Sequence, residues 1–134
     1  MTDISPIQLG VDANPDGLVI AQHGVGSAYI TESSPAKQGE VVVIYLSGMG
    51  ATNPAVKSGS PAPGSPPFAE VTVAPTVTLD GQAASVQFAG LVPGLVGLYQ
   101  VNFQVPINAG TGDQTLIVSQ NGVSSNATRL PVSK

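Results

Sequence analysis

The chain contains no cysteine and no tryptophan, one histidine, and only four lysines and arginines together. Each shortage excludes something. Without cysteine there are no disulfides, zinc–thiolate centres or thiol catalysis, while the compartment stays open. The four cations, Lys37, Lys57, Arg129 and Lys134, are too few and too scattered to track a phosphate backbone, which argues against nucleic acid. No run of 18 apolar residues exists, so no spanning helix is expected. The start, MTDISPIQLG, has no basic segment followed by an apolar one, so no signal peptide is expected in this chain. Charged residues make up 9%, against about 25% in an average soluble domain. A net charge of −4 spread so thinly gives copies little reason to repel one another. That suits a domain set among neighbours or in an assembly, and equally a plain soluble domain with neutral loops.

What is present speaks for strands. Sixteen glycines and twelve prolines punctuate a chain that is 42% apolar. Residues 97–106, GLYQVNFQVP, alternate: Tyr99, Val101, Phe103 and Val105 on one face, Gln100, Asn102 and Gln104 on the other. EVVVIYLSG (40–48) is apolar on both faces, as expected of a central strand covered on both sides. Asp80-Gly81 and Asn121-Gly122 are two-residue hairpin signals between alternating runs. KSGSPAPGSPPF (57–68) carries too many prolines for a ladder and reads as a loop or edge crossing, and LVPGLVG (91–97) reads as a buried turn. Further strands are expected in ISPIQLGV (4–11), GLVIAQH (17–23) and TLIVSQ (115–120). The pattern predicts an all-β fold, an Ig-like β-sandwich of two mostly antiparallel sheets with about seven to nine short strands. A single domain over 1–134 is expected, with 1–16 an N-terminal extension or first strand. Its core is expected from Val41, Val43, Tyr45, Val77, Leu79, Val86, Phe88, Tyr99, Val101, Phe103, Leu116 and Val118.

SPAKQGEVVVIYLSGMG (34–50), PTVTLDGQAASVQFAG (75–90), GLVGLYQVNFQVP (94–106) and NGVSSNAT (121–128) resemble the uncharacterised C-terminal domain of Solibacter-type acidobacterial proteins. More distantly, the chain is similar to the TIG group of immunoglobulin-like domains. The likeness runs over about residues 17–132 and implies an Ig-like domain at the end of large exported proteins, hence an extracellular or cell-surface location. That family has no assigned catalytic residues, so the resemblance transfers no site.

Acyl-transfer chemistry needs a nucleophile, a base and an orienting group. His23 is the single imidazole, no GxSxG elbow accompanies it, and it reads as a solvated histidine at a strand end. No pair among the eight acids is flanked by aromatic residues of the kind that line a sugar cleft. No enzyme is therefore expected. Asp12, Asn14 and Asp16 in DANPDG match the first half of a calcium loop. The loop's closing acid, however, would fall at His23, and a hairpin turn at Pro15-Asp16-Gly17 accounts for the same residues. Calcium is thus a weak candidate, and no other cofactor is implied. Asn126-Ala127-Thr128 is a sequon to which no function is ascribed.

The amide row of Gln100, Asn102 and Gln104 has three readings. It can pack and satisfy backbone, including that of the Pro-rich crossing, it can dock a neighbouring domain, or it can recognise a glycan. The residues favour a non-catalytic structural or interaction module, its partners being neighbouring domains or copies of itself, and the resemblance implies that it belongs to an exported bacterial surface protein. A fibre subunit that adds its N-terminal strand to a neighbour's edge and a carbohydrate- or protein-binding adhesin are the alternatives.

Overall fold

The computed structural model describes residues 9–57 and 59–134. Among these there is no helix, and none therefore that is long and apolar enough to cross a membrane. Twelve strands form: β1 Gly10–Val11, β2 Ala21–His23, β3 Ala36–Lys37, β4 Val41–Ser47, β5 Thr52–Asn53 and β6 Glu70–Val71. They continue with β7 Thr76–Leu79, β8 Gln82–Leu91, β9 Tyr99–Gln104, β10 Gly112–Gln120, β11 Val123–Ser124 and β12 Thr128–Ser133. The count exceeds the seven to nine expected because five of the twelve are two-residue pieces between turns, too short to leave an alternating pattern.

The strands form one mixed sheet with the main order β1-β4-β9-β8-β7-β10-β12-β3, parallel only between β12 and β3. The all-β expectation holds; in place of two separate sheets there is one sheet that curls. β8 makes the turn. Its first residues pair with β7 (Ala84 with Val77), and the rest pair with β9 (Ser85 with Gln104, Leu91 with Tyr99). Val42, Ile44, Val101 and Phe103 from one part of the sheet meet Val77, Leu79, Leu116, Val118, Leu130 and Val132 from the other in one buried cluster.

The segment before β4 stitches the curl together. β1 and β2 both pair with β4, while Val19 N–H donates to the Arg129 carbonyl and Arg129 N–H to that of Gly17. The Asn126 side chain completes the link as a backbone would: Val11 N–H donates to its Oδ1 (2.8 Å), and its Nδ2 donates to the Val11 carbonyl (3.1 Å). The sequon asparagine is thereby a clamp. Of the strand expected over 4–11, Gly10–Val11 forms β1 and Leu9 precedes it outside the ladder; residues 1–8 lie outside the described part.

Two features correct the expected core. Along β4 the residues without exposed surface are Val42, Ile44 and Leu46, whereas Val41, Val43 and Tyr45 are half-buried on the opposite face. Register decides this. Val42 stands opposite Phe103 and Ile44 opposite Val101, the apolar side of β9, so Val43 must stand opposite Asn102. In β8 a bulge between Val86 and Phe88 reverses the alternation. Val86 faces the core with Phe103, while Phe88 lands beside Asn102 and packs edge-on against Phe68. Val77, Leu79, Val101, Phe103, Leu116 and Val118 are fully buried as expected, with Tyr99 half-buried against them.

Both hairpins form at the expected dipeptides, Asp80-Gly81 and Asn121-Gly122, with positive φ at all four residues. The described residues of the Pro-rich crossing form no ladder; Ala62 N–H donates to the Leu95 carbonyl, and Gly94 N–H to that of Ala62. The turn over 91–97 is less buried than expected, because Leu95 and Val96 are about half exposed.

Candidate functional site

The polar groups that break the sheet's apolar pattern gather in four places. The first is the DANPDG turn. Gly17 N–H donates to the Asn14 carbonyl, Asn14 N–H to that of Leu18, and Gly17 adopts φ 88°, so the segment is a three-residue hairpin loop with glycine in the left-handed position. The Asp16 carboxylate accepts from Leu18 N–H (3.1 Å) and pairs with Arg129 (2.9 Å). The backbone bond from Leu18, followed by Arg129, holds its carboxyl below the ordinary aspartate range. Arg129 also meets Glu32 (2.9 Å) and Asp113 (3.4 Å), and the Glu32 hydrogen bond leads in raising the guanidinium above its usual value. Asp16 is thus brought to an arginine. Asp12 contributes backbone bonds to Tyr45 and Ile20, and among the described residues no group of three or more metal-ligating side chains assembles.

The second place is the amide row on the half-buried outer face. Gln100 Nε2 donates to Asn102 Oδ1 (2.9 Å), and Gln104 Nε2 donates to the Gly39 carbonyl (3.1 Å). Across the strand stand Tyr45, Val43 and Val41 on one side and Gly90, Phe88 and Ser85 on the other. The Tyr45 hydroxyl donates to Gln22 Oε1 on β2, and burial pushes its phenol up, which keeps it a neutral donor. The amides therefore bond to one another and to the turn before β4; the Pro-rich crossing finds its partners elsewhere.

The third place is the loop pole, where β4, β8 and β10 end. Gln120 is buried there, its Nε2 donating to the carbonyls of Met49 (2.9 Å) and Val73 (2.8 Å). Two clefts flank the Gly48–Gly50 segment. One, of about 520 Å³, lies against Val56, Leu91 and Tyr99. The other, of about 570 Å³, lies against Leu9, Met49, Val73 and Val123.

The fourth place was not legible beforehand. His23 ends β2 on the inward side, opposite Val42, with only 16% of its side chain exposed. Its Nδ1 is hydrogen-bonded to Glu40 Oε2, and its Nε2 lies 2.9 Å from Ser34 Oγ and 3.2 Å from the Ser34 carbonyl. The expectation of a solvated rim histidine is corrected by these contacts. Each partner is itself fixed. Glu40 Oε1 accepts from Lys37 N–H (2.8 Å), and Ser34 N–H donates to the Thr31 carbonyl (3.0 Å) and hydroxyl (3.1 Å) across a tight turn. The result is a serine–imidazole–carboxylate chain joining three segments of the fold.

No signal in the sequence singled out this trio: its members lie 11 and 17 residues apart across two turns, among many serines and acids. Of the residues named in advance as candidates, the structure joins the three amides along one face, ties the Asp16 carboxylate to Leu18 N–H and Arg129, and uses the Asp12 backbone to hold Tyr45 and Ile20. No family model, curated protein or solved structure matches the chain.

Proposed function

We propose that the domain is a non-catalytic structural module that works in line with its neighbours in an exported bacterial surface protein. The observation that carries this is the path of the chain. It comes in at Gly10, beside Ser47 at one end of β4, and goes out at Ser133, whose carbonyl accepts from Gln38 N–H near the other end. Those ends are separated by the seven residues of β4, about 20 Å at about 3.3 Å per residue. A domain crossed end to end transmits tension through its whole core and sets a fixed spacing. The stretches 34–50, 75–90, 94–106 and 121–128, with their likeness to exported Ig-like domains, support the same reading. In it the curled sheet is an Ig-like sandwich whose layers share β8. Pulling a tandem array of this chain by force spectroscopy tests the idea. Each copy should resist and then release roughly 400 Å in one step, at about 3.6 Å per residue. Smooth extension without a step overturns it.

A second reading has its own observation. Large apolar side chains are exposed at both poles: Val25 (93%) and Ile107 (79%) where β4 begins, Val73, Leu95 and Val123 where it ends. With so little charge, end-to-end association of copies follows readily. Light scattering at high concentration separates the readings; a strictly monomeric species rules out the fibre subunit and leaves the in-line module.

A further inference from the structure

We propose that Ser34 is an activated serine, a site of covalent acylation or phosphonylation driven by His23 and positioned by Glu40. The proposal goes beyond the mechanical role and is independent of it, since a stoichiometric adduct needs no turnover. Three features of nucleophile activation are present together: a hydroxyl at hydrogen-bond distance from an imidazole nitrogen, a carboxylate on the other ring nitrogen, and a fixed backbone under each. In the tautomer whose Nδ1–H donates to Glu40, Nε2 presents its lone pair to Ser34 Oγ. After proton transfer the imidazolium Nε2–H has the Ser34 carbonyl, 3.2 Å away, as an acceptor. Glu40 stays beside it as counter-charge.

Chemically, Ser34 Oγ attacks the carbonyl carbon of an activated ester, its proton passes to His23 Nε2, and the oxygen–carbon bond forms. The ester's alkoxide or phenoxide then leaves and takes the proton from Nε2. With a fluorophosphonate the same attack forms a serine–phosphorus bond and expels fluoride. The two clefts beside Gly48–Gly50 are lined by other residues, so the fitting donors are small activated acyl groups with little need of a binding pocket.

The test is to treat the full chain with a biotinylated fluorophosphonate and, separately, with p-nitrophenyl acetate, and to locate adducts by tandem mass spectrometry. Ser33 is the internal control: it is adjacent and more exposed, with its hydroxyl bonded to Thr31 in place of the imidazole. Ser34 should carry the adduct at least about 100-fold faster than Ser33, the lower range of general-base assistance. Ser34→Ala should abolish it and 8 M urea should reduce it to the Ser33 level. Glu40→Gln should slow labelling by a similar factor, with Glu40→Asp recovering part of the rate. A Ser34 rate equal to that of Ser33 in the unmutated protein overturns the proposal outright. Labelling of a folded Glu40→Gln chain at the unmutated rate overturns the role of Glu40. If Glu40→Gln fails to fold by circular dichroism, the Ser34-to-Ser33 ratio alone decides.

Discussion

Along β4, Val42, Ile44 and Leu46 point into the core with no exposed surface, whereas Val41, Val43 and Tyr45, no less apolar, stay half-exposed beside the amides of β9. Composition does not separate the two faces. What separates them is the neighbour across the ladder: Phe103 and Val101 on one side, Gln104, Asn102 and Gln100 on the other. The inner face is closed by the second half of the curled sheet, whereas on the outer face Phe68 lies on Phe88 and Gln22 reaches the Tyr45 hydroxyl. Burial free energy follows area removed from water, so the two faces carry very different shares of the fold's stability.

The comparison breaks most sharply with a charge. Ile44→Asp buries an unpaired carboxylate among Val101, Ala21 and the rest of the core. It should cost about 4 kcal/mol or more, enough to abolish folding of a marginally stable domain. Val43→Asp, one residue away, faces Asn102 and Gln22 and should cost about 1 kcal/mol. Urea titrations followed by circular dichroism distinguish them. If Val43→Asp unfolds the chain as Ile44→Asp does, the outer face is covered as fully as the inner.

Next in size is the clamp that holds the curl closed. Asn126→Ala leaves the Val11 N–H and carbonyl without their side-chain partner in a half-buried position. A loss of about 1–2 kcal/mol is expected, with amide exchange at Val11 accelerating more than exchange at Val101. Equal acceleration at both would mean that β1 is no separate flap and that Asn126 acts on the whole core.

The outer face then yields smaller effects. Tyr45→Phe removes the bond to Gln22, and Gln104→Ala removes the bond to the Gly39 carbonyl. Each should cost about 0.5–1.5 kcal/mol by chemical denaturation. A loss of several kcal/mol from either would place the amide row among the main supports of the fold and erase the difference between the faces.

How much of this was legible follows from the same contrast. β9 declared its faces because one side is amide and the other apolar, so Val101 and Phe103 were placed correctly from alternation alone. β4 is apolar on both sides, and period-two patterning carries no sign when both phases score alike; only pairing with β9 supplies it. Phe88 was misplaced for a different reason. One extra residue in a bulge shifts phase without leaving a mark such as glycine or proline. Asp80-Gly81 and Asn121-Gly122 were legible because left-handed backbone at successive positions selects such residues locally. The Ser34–His23–Glu40 chain had no local determinant at all, being assembled by β2, a turn and the approach to β4. The curl was hidden likewise, since β8 reads as one continuous strand whichever partners it takes.

The smallest effect belongs to the most exposed polar cluster. Asp16 is held ionised by Leu18 N–H and Arg129, which keep its carboxyl below the ordinary aspartate range. A carboxyl depressed in the folded state stabilises it above the unfolded pKa, and that contribution disappears as pH falls through the folded pKa. Asp16→Asn should therefore lower the melting midpoint slightly near neutral pH, and its difference from the parent should vanish as acid is added below about pH 4. A difference that grows on acidification reverses the sign and removes the Leu18 and Arg129 contacts as its cause. Millimolar calcium should leave both midpoints where they are, because the Asp16 carboxylate faces a guanidinium that a cation would have to displace. A calcium-dependent rise in the parent that Asp16→Asn lacks would turn the DANPDG hairpin from a turn into a metal loop.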